Sequence, residues 1–199
     1  MVKVYKSFRD LSEEEGEGRD YRIITYLRDK NVLVMAPHGG AIEPGTTEIA
    51  EAIARDEFSF YSFEGIKPNG NGVLHIESHL FDEPQALEAV KGAEIVITIH
   101  GQADTDDKFV MIGGLDTDLK SEIERELIRS GFQILEPTGR LRAIDPRNIC
   151  NGGRSGKGVQ LEISRRLRDS LRVNEDLLCK FADAVRGRVQ LYLEQVNPT

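Results

Sequence analysis

Cysteine is scarce, long apolar runs are missing and no basic stripe is present, and each absence narrows the class of protein. The two cysteines, Cys150 and Cys179, lie far apart and in no Cys-x-x-Cys spacing. They read as free thiols of a reducing compartment, with a nucleophilic Cys150 as the alternative. No apolar run has the length needed to cross a bilayer, so no membrane span is expected. The first twenty residues, MVKVYKSFRDLSEEEGEGRD, are charged and have no apolar signal core. The cytoplasm is the expected compartment, with release by lysis if the gene is a phage's. The net charge is −8, and a non-specific nucleic-acid binder needs a basic face. The densest basic stretch, Arg165, Arg166, Arg168 and Arg172 interrupted by Asp169, reads as one solvated helix face. No P-loop, repeat, low-complexity tract or linker is visible.

What is present is ordinary for a globular protein. With 199 residues, 39% hydrophobic and 30% charged, the chain suits one domain over residues 1–199 and is expected to be a monomer. Short apolar or aromatic runs at Val32–Ala36, Phe58–Phe63, Val73–Ile76, Glu94–Ile99, Phe109–Ile112, Gln133–Leu135 and Gly158–Ile163 read as strands. Helical periodicity lies between several of them: Thr46–Asp56, a segment capped by Asp82 with Gln85 as capping-box partner, and Asp116–Ser130. Two more helices, Ser164–Leu171 and Asn174–Val196, close the chain. Phe58–Ile76 holds two strands with no helix between them, which predicts a hairpin or mixed edge joined by Gly65–Gly72. The fold class is α/β: an open, twisted, mixed but mostly parallel sheet with helices on both faces.

In such sheets ligands sit beyond the carboxyl ends of the strands. Two of the four histidines, His38 and His100, directly follow apolar strands and directly precede glycine. Glu43 follows His38 after four residues. Two imidazoles and a carboxylate are the donors of catalytic zinc, which leaves a fourth position open. Alone, either histidine reads more simply as a hydrogen-bonded loop residue; together with Glu43 they favour a metal. Glu48 competes with Glu43, but in a first helical turn it serves the helix dipole. His75 and His79 read as packing or surface residues, with a substrate contact or a rival third ligand as the alternative for His75. In GVQLEIS, alternation puts Val159, Leu161 and Ile163 on one face and Gln160 and Glu162 on the other. A glutamate there is costly unless paired or functional. It suits a general base for the metal's water, with a salt bridge to Arg165 or Arg166 as the dull reading. The segment RLRAIDPRNICNGGRSGKG, residues 140–158, carries five cations and reads as a clamp for an acidic substrate or as a mobile solvated loop.

The segments APHGGAIEPGTTEIA, FYSFEGIK, LHIESHLFDEP, IVITIHG and GVQLEIS, in that order, resemble the bacteriophage-type poly-γ-glutamate hydrolase family. Its bacterial members are often labelled phage-related replication proteins, a label these residues do not support. The resemblance runs from about Ala36 to Ser164. It implies a carboxypeptidase A-like (phosphorylase/hydrolase-like) fold and a zinc peptidase that cuts γ-glutamyl linkages. Carried over by match, His38, Glu43 and His100 are the Zn2+ ligands and Glu162 is the base. The pair here is His-x-x-x-x-Glu, where carboxypeptidases have His-x-x-Glu. Asn151, Arg154, Arg165 and His75 are the candidates for substrate contact. The implied partner is an acidic polymer or a small γ-glutamyl compound. A deacylase or deformylase of a small N-acyl acidic amino acid and a non-catalytic phage accessory protein are the alternatives.

Overall fold

The period of two in Val32, Val34 and Ala36 puts these side chains on one face of a strand, with Leu33 and Met35 on the other. Both faces are buried, because this strand lies in the interior of a seven-stranded sheet covered on both sides. The computed structural model describes residues 4–196. Its strands are β1 (Tyr21–Tyr26), β2 (Asp29–Gly40), β3 (Phe58–Gly65), β4 (Ile95–Gln102), β5 (Phe109–Gly113), β6 (Gln133–Leu135) and β7 (Val159–Ser164). They are ordered β1-β3-β2-β4-β7-β5-β6. β3, β2, β4 and β7 run parallel; β1 is antiparallel to β3, β5 is antiparallel to β7, and β6 is parallel to β5.

Each face of the sheet has its own core. Val32, Val34, Ile95, Ile97, Val159 and Leu161 pack against α2 (Thr46–Ala54), α4 (Thr117–Arg129), α5 (Arg165–Val173) and α6 (Glu175–Val196). Leu33, Met35, Tyr61, Phe63 and Val96 face α1 (Phe8–Ser12) and α3 (Pro84–Gly92). α2 forms because Ile49, Ala50, Ile53 and Ala54 make one buried stripe. Asp116 starts α4 by accepting a hydrogen bond from the Leu119 N–H at 3.2 Å. Among the described residues, no helix is long and apolar enough to cross a membrane.

Three expectations are corrected. Val73–Ile76 is not a strand: Asn71–Leu74 forms a 3-10 turn, and Leu74 and Ile76 bury against the sheet face instead of pairing with it. The Asn71 side chain closes this loop, accepting from Lys67 N at 2.9 Å and donating to Lys67 O at 2.7 Å. The free edge of β3 is taken by β1, with Tyr21 opposite Gly65 and Tyr26 opposite Phe60. The cap of α3 is Glu83, whose carboxylate accepts from Gln85 N and Ala86 N; Asp82 accepts instead from the Phe8 N–H.

Candidate metal centre

Strand β2 carries a bulge where its sequence reads Pro37-His38. Ala36 lies opposite Ser62 and Gly39 opposite Glu64, so three steps on β2 match two on β3. Proline, without an N–H for the ladder, is tolerated at a bulge. The extra residue switches the parity. His38 would otherwise follow Ala36 to the α2 side. It faces the α3 side instead, where its ring meets Phe81 and its Nε2–H donates to the Ile76 carbonyl at 2.7 Å. Gly40 ends the strand at φ +59°, against the Gly65 carbonyl, where a side chain would be both strained and crowded.

Three further groups converge on His38. His100, at the end of β4, has its Nδ1 3.2 Å from the Nδ1 of His38. Glu43, in the loop before α2, brings Oε1 to 3.2 Å from that same nitrogen. Its Oε2 accepts from the Gly101 N–H at 2.7 Å and lies 3.8 Å from His100 Nδ1. His75, just past the 3-10 turn, stacks on His38 with ring centroids 3.8 Å apart, and its Nε2 is 3.5 Å from Glu43 Oε1. His38 and His100 are almost fully buried.

The proton inventory makes this cluster informative. A carbonyl only accepts, so the Nε2 of His38 donates to Ile76 and its Nδ1 is the ring atom turned toward the other groups. That nitrogen faces a carboxylate oxygen and a second imidazole nitrogen. Burial, followed by the charge of His38, drives His100 down to about 3, so the His100 ring is neutral and offers a lone pair. Burial works to raise Glu43, but the charge and hydrogen bond of His38, and then the hydrogen bond of His75, hold it well below the usual carboxylate range. Imidazole nitrogens and a carboxylate oxygen turned to one point suit a cation there. Zinc donors about 2.0–2.2 Å from the ion stand roughly 3.3–3.6 Å apart in a tetrahedron. The Nδ1 of His38 stands 3.2 Å from both Glu43 Oε1 and His100 Nδ1, close to that spacing, while His100 meets the other Glu43 oxygen at 3.8 Å. His38, Glu43 and His75 each offer one donor atom within 4.8 Å of the others, which makes His75 a rival to His100 as the third donor.

Glu162 stands beside this cluster, opposite His100 in the parallel β4–β7 ladder. Its Oε1 accepts from Gln160 Nε2 at 2.9 Å, and Gln160 Oε1 accepts in turn from Asn148 Nδ2 at 3.0 Å. Burial, with the Glu43 charge adding, pushes the Glu162 carboxyl up to about 8. Arg165 does not pair with it, since its guanidinium holds Asp169 at 2.8 Å. Glu48 pairs with Arg172 at 2.9 Å, in keeping with a surface role.

The cluster opens into a cleft of about 720 Å³, lined by His38, Glu43, His75, His100 and Glu162 among others. The structure does not bring Asn151, Arg154 or Arg165 to that lining. Asn151 is a buried brace, accepting from Leu115 N and Gly158 N and donating to Ala143 O and Asp145 O. Arg154 turns away to Glu94 at 3.2 Å. The half of the basic segment that does line the cleft contains Arg140, Asp145 and Asn148. Arg140 holds Glu77 there. Sequence reasoning missed Gln160, Asn148 and Arg140 as individuals, although alternation had set Gln160 on the face of Glu162. Cys150 is fully buried with its thiol pushed up by desolvation, which removes the nucleophile alternative.

A buried imidazole–carboxylate cluster at the carboxyl ends of parallel strands, facing a cleft, defines a candidate metal centre on an α/β scaffold. The chain belongs to the poly-gamma-glutamate hydrolase family, whose model matches residues 5–184. It is 39% identical over 170 residues to the UPF0714 protein YndL of Bacillus subtilis (strain 168), a match covering 84% of this chain and 66% of YndL. The chain thus spans just under two thirds of that relative. A solved bacteriophage poly-gamma-glutamate hydrolase has a TM-score of 0.92 at 32% identity, covering 97% of this chain and 99% of that one. A zinc-free, apo structure of YndL has a TM-score of 0.83 at 34% identity, covering 94% and 98%.

Proposed function

We propose that this chain is a zinc-dependent hydrolase of the γ-glutamyl amide bonds of poly-γ-glutamate, acting as one domain on an acidic polymer. The observation that carries the reading is the convergence of ring nitrogens from His38 and His100 with the Glu43 carboxylate. Family membership and the existence of a zinc-free form of YndL support the choice of reaction and ion.

His38, Glu43 and His100 would hold the ion, with His75 beside them. Zinc in such a site supplies Lewis acidity and brings the pKa of a water molecule toward neutrality. The Ile76 carbonyl fixes the tautomer of His38, and the Gly101 N–H fixes the rotamer of Glu43. Glu162 is the general base: ionised, a state that a cation bound beside it would favour, its carboxylate takes a proton from the attacking water and returns it to the leaving nitrogen. Gln160 holds Oε1 of that carboxylate and leaves Oε2 for the proton. His75, His79 and Arg140 line the cleft and supply positive charge or hydrogen-bond donors for the substrate's α-carboxylates. The test is shortening of poly-γ-glutamate by purified protein, read by size-exclusion chromatography. A protein that binds zinc but leaves the polymer intact would redirect the reading to a small γ-glutamyl or N-acyl substrate.

A further inference from the structure

Arg168 lies outside the cleft, yet its charge is nearly fully buried, 3% exposed. A buried charge is expensive unless its hydrogen bonds are met. All three of its nitrogens donate to main-chain carbonyls, not to a carboxylate. Nε bonds Ile163 O at 3.0 Å, Nη2 bonds Gln102 O at 3.1 Å and Nη1 bonds Pro44 O. Ile163 follows Glu162, Pro44 follows Glu43, and Gln102 lies two residues past His100. One side chain thus binds the backbone next to three members of the site.

The sheet spaces His100 and Glu162, which pair in the β4–β7 ladder, but it does not place Glu43. The β2–β4 ladder runs from Val32 and Ile95 to Met35 and Thr98, and stops short of His38 and His100. Past that point the loop carrying Glu43 is tied toward β4 by the Gly101 N–H on Glu43 Oε2 and by Arg168, which bonds both Pro44 O and Gln102 O. The two are coupled. The guanidinium lies against Gly101, where a Cβ would come within 2.5 Å of Arg168 Cζ. A planar fork with donors in three directions meets three carbonyls; an ammonium on a flexible stem does not.

We infer that Arg168 is a positioning residue of the hydrolytic site, setting Glu43 against His100 and Glu162 by clamping the loop that carries Glu43 to the paired strands β4 and β7. The inference rests on the metal reading above. Its test uses the full chain as wild type, Arg168→Met, Arg168→Lys and Gly101→Ala. Each is measured by circular-dichroism melting, by zinc affinity against a chromogenic chelator, and by kcat and KM on poly-γ-glutamate. The expected result is folded variants whose zinc affinity falls about tenfold to hundredfold, with kcat reduced and KM little changed because binding contacts are intact. Lysine should not restore the arginine values. Folded variants that match wild type in zinc affinity and kcat would overturn the inference and leave the metal reading standing. If Arg168→Met does not fold, Arg168→Lys and Gly101→Ala decide by the same readouts. Collapse of all three would show a purely structural residue and overturn it too. Wild type that takes up no zinc would overturn the metal reading, and this inference with it.

Discussion

Replacing Glu162 with glutamine keeps the side chain's size and removes its titration. In the metal-free protein, burial and the Glu43 charge raise this carboxyl from its ordinary 4.5 to about 8. Between those values the folded state holds a proton that the unfolded chain has released. The contribution is complete below pH 4.5, falls as pH rises through about 8, and stays lost above that. One proton corresponds to about 1.4 kcal/mol per pH unit. From pH 5.5 to 7.0, wholly inside the window, wild type should therefore lose about 2 kcal/mol relative to Glu162→Gln. For a chain of this size that is roughly 4–8 °C in Tm. The glutamine can still accept from Gln160 through its own carbonyl, so the packing term is nearly constant and cancels between the two pH values. The assay is thermal melting of both proteins in chelator at each pH. An equal gap between them at pH 5.5 and 7.0 would refute the claim that the fold holds Glu162 protonated.

Other outcomes follow from the same geometry. Zinc at a hundredfold excess over its Kd should stabilise wild type by about 2.7 kcal/mol, and His100→Ala should abolish the shift; an unchanged shift in that variant would remove His100 from the donor set. Iodoacetamide should modify Cys179 in the native protein and reach the fully buried Cys150 only on unfolding, as read by peptide mass spectrometry. Equal rates would contradict the packing around Cys150. Arg140→Ala should raise KM for poly-γ-glutamate about tenfold, the value of one charge-assisted hydrogen bond of ~1.5 kcal/mol. Arg154→Ala should leave KM alone, because its side chain is on Glu94; the reverse pattern would mean that the acidic substrate runs along the other side of the loop.

The sheet was legible where apolar side chains alternate or run together and end in glycine, as at Val32–Ala36 and Ile95–Ile99. That same signal drew attention to His38 and His100. Alternation along Val159–Ile163 put Glu162 on the face opposite the apolar residues, and the structure has it there. β1 was hidden because Arg22 and Thr25 dilute its apolar pattern, and its pairing with β3 is a tertiary fact. Val73–Ile76 has strand composition, but the Asn71 side chain turns the chain before it can pair. The facing of His38 depends on a bulge, and a bulge is a mismatch with a neighbouring strand that one segment cannot reveal. The basic segment showed its charge but not its direction: Glu77 draws Arg140 to the cleft and Glu94 draws Arg154 away from it.

The most direct test of the hydrolase reading is polymer shortening and metal content measured on the same preparations of wild type, Glu162→Gln and His100→Ala. Shortening should occur with wild type alone. Zinc should remain in the Glu162 variant and be lost from the His100 variant, because one group moves protons and the other donates a lone pair. Polymer shortening that persists in Glu162→Gln, or that proceeds at full rate in metal-free wild type, would contradict it.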